Sequence, residues 1–278
     1  MRKENLYNRL FRSIFSRKIE NPKFGELPVS AIFSIIAKSC NEIVNSRIII
    51  PNDSKLRIIE KFAFAESSLK RILIPFQLEE IKEGAFFNCN NFSSIFIPFN
   101  SRLRTVERFA FYNTSINYFS IPPSLVNLNI LWCIRANNLT NIKIIEENKR
   151  YMLHENKLFL EKSSIRQDNY DILNCACRDV VNAIIPNSIE VIEQNAFDGS
   201  KIEEIYFPKS LIGLKEGWYG GLNKLTKIII SPMNDKFKFY ENKYLVGKTY
   251  HSNIQFDKLL FVRRDITEIS IPSNIKII

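Results

Sequence analysis

The chain has 278 residues, of which 45% are hydrophobic and 24% charged, a composition that excludes an intrinsically disordered protein. It carries 39 Lys and Arg against 29 Asp and Glu, but half of this excess lies in residues 1–23. The rest of the chain therefore lacks the massed basic face of a nucleic-acid-binding protein, and no apolar run approaches the roughly 18 residues of a membrane span.

Residues 1–23 are predicted to form a basic amphipathic arm. Their Lys and Arg residues are opposed only by Glu4 and Glu20, and apolar residues recur at helical spacing: Leu6, Leu10, Phe11, Ile14 and Phe15. We expect a helix that caps the open core of the first coil, and docking to a membrane surface is the alternative. A secretory signal would need an apolar run after the basic opening, but Arg and Ser interrupt it, so the sequence shows no clear signal peptide.

An Ile-rich phrase that ends in proline recurs at steps of 22 to 24 residues, from Pro28 to Pro122 and from Pro186 to Pro232, and we read 24–140 and 183–226 as leucine-rich repeats. The prolines that end it are Pro28, Pro51, Pro75, Pro98, Pro122, Pro186, Pro208 and Pro232. Before Pro75, for example, come Leu69, Ile72 and Ile74. The last two apolar residues are two apart, so they point to the same side of a strand, and the proline ends that strand because it lacks an N–H.

A second phrase follows each proline and leads to an Ala-Phe pair. Leu78 and Ile81 precede Ala85 and Phe86, and the same spacing leads to Phe64, Phe111 and Phe197. This spacing favours one or two turns of helix, with the Phe filling the gap between neighbouring coils. A unit of about 23 residues with one strand and one short convex segment is typical of leucine-rich repeats. Since no unit can bury its own apolar face, the units must stack. The predicted fold is a β-rich α/β solenoid, a leucine-rich-repeat superhelix with short helical or irregular convex segments.

Two insertions, 141–182 and 227–268, interrupt the short repeat and resemble each other at an offset of 86 residues. Alternating apolar residues flank an Asn-containing turn in each, which predicts a β-hairpin at 151–160 and at 237–246, followed by a strand at 170–176 and at 256–262. We expect these islands to add strands to the same ladder or to fold over one flank. Residues 269–278, with Ile266, Ile269 and Ile271 before Pro272, read as the incomplete start of a further repeat.

The proline phrase and the Ala-Phe phrase together resemble the BspA-like leucine-rich repeats of surface antigens, and the islands look like those of the protist branch of that family. The resemblance is clearest in residues 69–86, 92–111 and 184–197 and covers about 27–278. It implies a surface-exposed or secreted adhesin or antigen that contacts host or bacterial partners. Our first hypothesis is accordingly a binding module whose concave sheet holds a protein or glycan. An intracellular scaffold that docks to membrane through residues 1–23 is the alternative.

Residues two and four positions before each proline should point away from the core and form a concave surface. They place an apolar stripe beside a polar one, and exposed apolar stripes often mark interaction sites. Lys227 and Ile229 occupy the equivalent places before Ser231 and Pro232, one position further from the proline. We predict partner binding for Arg71, Leu73, Phe96, Tyr118, Ile184, Glu204, Tyr206, Lys227 and Ile229. The alternatives are that an island or another part of this chain covers the stripe, or that the stripe has no role.

Catalytic and cofactor motifs have little support in the sequence. The histidines, His154 and His251, lie 97 residues apart, and the eight glycines form no phosphate-binding loop. Cys175 and Cys177 share one face of a strand but lack a second pair for a zinc site. We read Cys40 and Cys89 as small buried hydrophobes. The sequence therefore predicts a binding protein without a cofactor or metal, and not an enzyme.

Overall fold

The computed structural model describes residues 47–50, 54–155, 157–249 and 255–278. The predicted arm 1–23, Pro28, Cys40, Pro51 and His251 lie outside the described residues. The described residues form strands, turns and loops without a helix, and this part of the chain accordingly contains no helix that could cross a bilayer.

The strands follow one another in the order expected of stacked coils. They are β1 (Arg47–Ile49), β2 (Ile58–Ile59), β3 (Arg71–Leu73), β4 (Glu80–Ile81), β5 (Ser94–Phe96), β6 (Thr105–Val106), β7 (Tyr118–Ile121), β8 (Asn127–Leu128), β9 (Asn141–Ile144), β10 (Tyr151–His154), β11 (Leu158–Glu161), β12 (Ile172–Ala176), β13 (Asn182–Ile184), β14 (Val191–Ile192), β15 (Glu204–Phe207), β16 (Gly213–Leu214), β17 (Lys227–Ile230), β18 (Phe237–Tyr240), β19 (Tyr244–Gly247) and β20 (Lys258–Val262).

The strands of the proline phrases, together with β9, which no proline follows, form three parallel sheets, which we call the primary sheets: β1-β3-β5, β7-β9 and β13-β15-β17. Ile72 is paired in register with Ile48 on one side and Ile95 on the other, and all three are buried. Equivalent residues of successive coils thus form one apolar column through the molecule. The predicted solenoid, in which the stacking of units makes the core, is confirmed.

The Ala-Phe phrases supply a second column, made of aromatic rings. Phe64, Phe86 and Phe111 are fully buried, and consecutive ring centroids are 5.2 Å apart with planes within 10° of parallel. Cys89 is buried beside this column and donates its thiol hydrogen to the Phe64 carbonyl oxygen at 2.8 Å. Burial raises the pKa of the Cys89 thiol, in keeping with its predicted packing role.

The convex segments differ from the helical expectation. Each begins with a two-residue strand, and these strands form a second parallel ladder, β2-β4-β6-β8, in which the Lys82 N–H donates to the Ile59 carbonyl of the preceding coil at 2.9 Å. We call the buried Phe of each Ala-Phe pair the aromatic plug. The residues two positions before and two positions after it have positive φ, as Gly84 and Asn88 do around Phe86. A left-handed residue interrupts a right-handed helix, so each segment closes by turns instead.

The islands form the predicted hairpins. β10-β11 and β18-β19 are antiparallel pairs, and β12 and β20 add a third antiparallel strand to each. β12 also pairs in parallel with β14, so the first island joins the convex strands β14 and β16, which form a sheet separate from β2-β4-β6-β8, and not the primary sheets. Lys258 of β20 forms the corresponding bridge with Ile277, 86 residues after Val191, which keeps the two islands equivalent.

A buried asparagine fastens each island to the coil before it. The Asn148 amide donates to the carbonyls of Pro122 and Leu125 at 2.8 and 2.9 Å, while its Oδ1 accepts the N–H groups of Arg150 and Tyr151. Asn234, 86 residues later, makes the same four bonds at 2.7 to 3.2 Å. A single side chain therefore satisfies four backbone groups at each island entrance.

Tyr151 of the first island satisfies backbone groups at the edge of the β2-β4-β6-β8 ladder. Its equivalent in the second island is Phe237, which has no hydroxyl group. The Tyr151 hydroxyl accepts the Leu128 N–H at 2.9 Å and donates to the Val126 carbonyl at 3.2 Å. Burial and the nearby Glu161 carboxylate raise the pKa of Tyr151 to about 12. The hydroxyl is therefore neutral in the folded protein at pH values at which an unfolded tyrosine ionises.

Replacing Tyr151 by phenylalanine is expected to lower the free energy of unfolding by about 1–2 kcal/mol at pH 8, because the buried Leu128 N–H loses its acceptor. The stability that the wild-type hydroxyl contributes is complete below pH 10 and is lost as the pH rises towards 12, since the unfolded state ionises first. Urea denaturation at pH 8 and pH 11 should show the difference between wild type and variant shrinking. A difference that stays constant with pH would contradict the assignment.

The strand predicted before Pro272 is not formed, which corrects that expectation. Ile266 to Ile271 have no strand assignment, and Glu268 and Ser270 are exposed outside any sheet. The equivalent strand of the first half, β13, pairs with the strand of the following coil, β15. No following coil is among the described residues, and the second island separates residues 266–271 from β17.

Candidate binding surface on the primary sheets

Side chains on the primary sheets alternate between the core and the outer surface, which we call the primary face. In β3, Ile72 is buried while Arg71 is exposed and Leu73 is half-buried. In β5, Ile95 is buried while Phe96 is 62% exposed. This alternation is the two-residue period of a strand, and it places all nine predicted binding residues on the primary face with none of them buried.

The first patch on this face consists of Arg71, Leu73, Phe96 and Tyr118. Leu73 and Phe96 are in register on adjacent coils, so they form a continuous apolar surface, and Arg71 lies two residues before Leu73 on the same side of β3. Tyr118 is 39% exposed but lies on β7, which has no strand pairing with β5. A large exposed aromatic ring beside an arginine is the composition that protein interfaces favour.

The second patch consists of Ile184, Glu204, Tyr206, Lys227 and Ile229. Ile184, Tyr206 and Ile229 are in register on three consecutive coils, and Ile184 is 63% exposed. The Lys227 ammonium lies 3.1 Å from the Glu204 carboxylate. An exposed pair of this kind contributes at most about 1 kcal/mol, so it orders the polar half of the patch more than it stabilises the fold.

The two patches are not the single stripe that the repeat predicted. β9 and β13 belong to different sheets, because residues 145–181 leave the primary ladder to form the first island. Ser120, expected to point outwards, is buried, and the side chain of Ile49 lies outside the described residues. The exposure of Phe96 and Ile184 shows that the described parts of the islands do not cover the patches.

Two features of this surface were missed from the sequence. Phe99 and Met233 are 78% and 74% exposed, each directly after a phrase-ending proline, and an apolar residue in that place was a signal that could have been used. The other is β9, whose Leu139, Ile142 and Ile144 have the spacing of the phrase but are followed by Ile145 instead of proline.

A groove of about 840 Å³ lies between β9 and the first island. One wall is formed by Asn141 to Ile144, and Met152, Leu153 and Tyr170 of the island contribute to the lining. Lys157 and Asp179, which form an ion pair, line it as well. The groove opens beside the first patch, since Tyr118 also lines it.

The residues considered for chemistry are placed apart from one another. His154 lies at the end of β10, 3.8 Å from the exposed Glu155 carboxylate. Cys175 and Cys177 are buried, and burial raises the pKa of Cys177 to about 11, so this thiol is protonated near neutral pH. Across the described residues no three His, Cys, Asp or Glu side chains are grouped so that they could hold a metal ion.

The family prediction is confirmed by comparison with known proteins. The family model described as the BspA-type leucine-rich-repeat region matches residues 34–166 and 173–278, in six copies. The further assignment to the protist branch of that family stays a prediction. No curated protein matches the chain.

Several solved structures are similar to this chain in fold. The pneumococcal vaccine antigen PcpA is 19% identical over 66% of this chain and 44% of its own, with a TM-score of 0.59. A leucine-rich cell surface protein from Faecalibacterium prausnitzii is 22% identical over 61% and 43% of the two chains, with a TM-score of 0.53. A leucine-rich-repeat protein from Eubacterium ventriosum is 17% identical over 69% of this chain and 57% of its own, with a TM-score of 0.54. The match thus spans less than two thirds of each of these proteins.

Proposed function

Because the chain belongs to the family of BspA-type leucine-rich-repeat proteins, we propose that it is a non-enzymatic binding protein of the cell surface that holds a protein partner on its primary face. The observation that carries this proposal is the exposure of Phe96 and Ile184, at 62% and 63%, on strands whose inner side chains are fixed in the core. Ordered apolar groups in water lose little conformational entropy when a partner covers them.

The composition of the two patches supports a protein as the partner. Tyrosine, phenylalanine and arginine are enriched at the centre of protein interfaces, where a few large side chains contribute most of the binding energy. Phe96, Tyr118, Tyr206 and Arg71 provide such side chains on both patches. The role we infer is that of an adhesin or surface antigen, which agrees with the descriptions of PcpA as a vaccine antigen and of the Faecalibacterium protein as a cell surface protein.

The alternative of an intracellular scaffold that docks to membrane depends on residues 1–23, which lie outside the described residues. No feature of the described residues favours it. Protease shaving of intact cells that naturally express the chain tests the surface location. Release of peptides from the primary face by the protease supports it, and complete protection of the chain in unbroken cells contradicts it.

Phe96→Ala and Tyr206→Ala are each expected to weaken binding of the fluorescently labelled protein to cultured epithelial or bacterial cells by about ten-fold, the usual loss at an interfacial aromatic anchor. Circular dichroism should be unchanged, because both side chains are outside the core. Binding is measured by flow cytometry over a concentration series. Trypsin treatment of the cells should abolish binding if the partner is a protein.

Ile165→Ala is the matched control for these variants. Ile165 is 65% exposed, as Phe96 and Ile184 are, but it lies in the loop between β11 and β12 and not on the primary face. Its loss should leave binding at the wild-type level. Equal binding by all three variants, or unfolding by Phe96→Ala, would refute the assignment of the primary face.

A further inference from the structure

The outer edge of β9 is free of a strand partner among the described residues. β9 pairs with β7, and the N–H groups of Asn141 and Ile145 donate to the carbonyls of Asn117 and Ile121 at 3.2 and 3.0 Å. In a parallel strand the backbone groups of alternate residues point to opposite sides. The N–H and C=O groups of Ile142 therefore point away from β7, towards the next position in the ladder, where β13 would lie if the first island did not intervene.

This free edge borders the groove described above. Ile142 and Ile144 are among its lining residues, together with Met152 and Leu153 of the island. Ile144, Met152 and Leu153 are partly buried and pack against the main core, so the groove has an apolar strip on its inner side, within a lining that also includes polar residues such as Asn141 and Lys157. β9 has four residues, and a strand rises about 3.3 Å per residue, so the edge offers about 13 Å for pairing.

Lys143 supplies a charge at the outer side of the same edge. Its side chain is exposed and it forms no ion pair among the described residues. Another lysine on a primary strand, Lys227, shows that a carboxylate in register on the neighbouring strand can pair with it. Lys227 and Glu204 are in register on neighbouring primary strands, and their charged groups are 3.1 Å apart.

We propose that the groove binds an extended segment of a partner protein, which adds a parallel strand to the free edge of β9. A residue of that segment in register with Lys143 would be acidic and would pair with its ammonium as Glu204 pairs with Lys227. The residues on either side, in register with Ile142 and Ile144, would be apolar and would point towards Met152 and Leu153. The segment thus has an apolar–acidic–apolar pattern, and main-chain hydrogen bonds provide the rest of the affinity.

This site differs from the two patches of the primary face in how it would bind, although Tyr118 of the first patch also lines the groove. It uses the edge of a strand and not the surface of a sheet. The lysine on which it depends is present beside the first island and not at the equivalent position beside the second. In the second half of the chain the residue 86 positions after Lys143 is Ile229. The edge of β17 therefore lacks a lysine at the equivalent position, and the ammonium of Lys227 on this strand already pairs with Glu204, although β17 likewise has only one strand partner.

The probe for this proposal is a fluorescent, end-blocked pentapeptide of the sequence Ser-Val-Glu-Val-Ser. Fluorescence anisotropy should show saturable binding to the intact protein below about 1 mM, a range suited to one short added strand. Methylation of the glutamate nitrogen removes the N–H that would donate to the Ile142 carbonyl, and it should weaken binding at least ten-fold. Methylation of the second valine nitrogen, which points away from β9, is the control and should have little effect.

Lys143→Glu should weaken binding of the same peptide by about ten-fold, since attraction is replaced by repulsion. A peptide with lysine in place of the glutamate should recover affinity for this variant. Lys224→Glu makes the same charge change at another exposed lysine and should not alter binding. Phe96→Ala should not alter it either, which separates this site from the primary face.

Three results would overturn the proposal. They are absence of saturable binding up to 1 mM, equal binding of the two methylated peptides, and an unchanged affinity of Lys143→Glu. Sedimentation of the protein without peptide tests whether a second copy of this chain occupies the edge instead. A dimer that Lys143→Glu dissolves would assign the edge to a second copy of this chain and would also overturn the proposal.

Discussion

Replacement of Phe86 by alanine is expected to lower the free energy of unfolding by about 4 kcal/mol. The ring is fully buried and stacks on Phe64 and Phe111 at 5.2 Å and on Phe92 at 4.5 Å. Its removal leaves a cavity that three rigid rings cannot fill, because each of them is held by its own coil. The loss is measured from the urea dependence of tryptophan fluorescence.

Phe99→Ala serves as the control for this prediction. Phe99 is 78% exposed, so its removal should change the stability by less than about 0.5 kcal/mol. A loss below about 1 kcal/mol for Phe86→Ala would show that the aromatic column does not connect the coils in the way that the ring spacing indicates.

Arg178→Met is expected to lower the free energy of unfolding by about 3 kcal/mol. The Arg178 guanidinium is buried and donates to the carbonyls of Ala136, Ala176 and Cys133 at 3.1 to 3.3 Å. The Asp198 carboxylate lies 3.8 Å away. Methionine fills similar space but leaves these oxygens without a donor and the carboxylate without its cation.

The second island provides the matched variant, Arg264→Met. Arg264 follows Arg178 by 86 residues, but it is exposed and lies over the rings of Tyr219 and Phe261 at 5.3 and 5.9 Å. A contact of this kind contributes about 0.5–1 kcal/mol at an exposed site. Thermal denaturation of both variants should therefore show a large shift for Arg178→Met and a small one for Arg264→Met. Similar shifts would contradict the role assigned to burial.

The stacking of the coils could be predicted from the sequence because each apolar position repeats with a fixed offset. Ile72 and Ile74 are buried as the proline phrase required, and the hairpins begin at Tyr151 and Phe237 as their alternation indicated. Both signals are local and depend on the two-residue period of a strand.

The convex segments could not be predicted in this way, because their conformation is determined by neighbouring coils. The residue two positions before the aromatic plug is Phe62, Gly84, Phe109 or Asn195, and all four have positive φ. No single residue type marks that position. The hydrogen bonds that impose the conformation come from the next coil, as when the Phe62 N–H donates to the Glu83 carbonyl at 3.1 Å.

The candidate surface was predictable only in part for a related reason. Which side chains point outwards follows from alternation within one strand, and Phe96 and Ile184 were placed correctly. Whether successive strands are adjacent depends on the path of the chain between them. The first island displaces β13 from β9, so one predicted stripe became two patches and a groove.

The asparagine clamps at Asn148 and Asn234 have a consequence for how such a molecule can lengthen. Each clamp holds two carbonyls of one coil and two N–H groups at the start of the following hairpin, so an island together with the coils up to the next island forms a unit of 86 residues with matching ends, which we call a cassette. Duplication of the whole 86-residue cassette would preserve every one of these bonds at the new junction. Duplication of a lone coil between clamp and coil would separate them, so genetic change in this protein should be tolerated best in steps of one cassette.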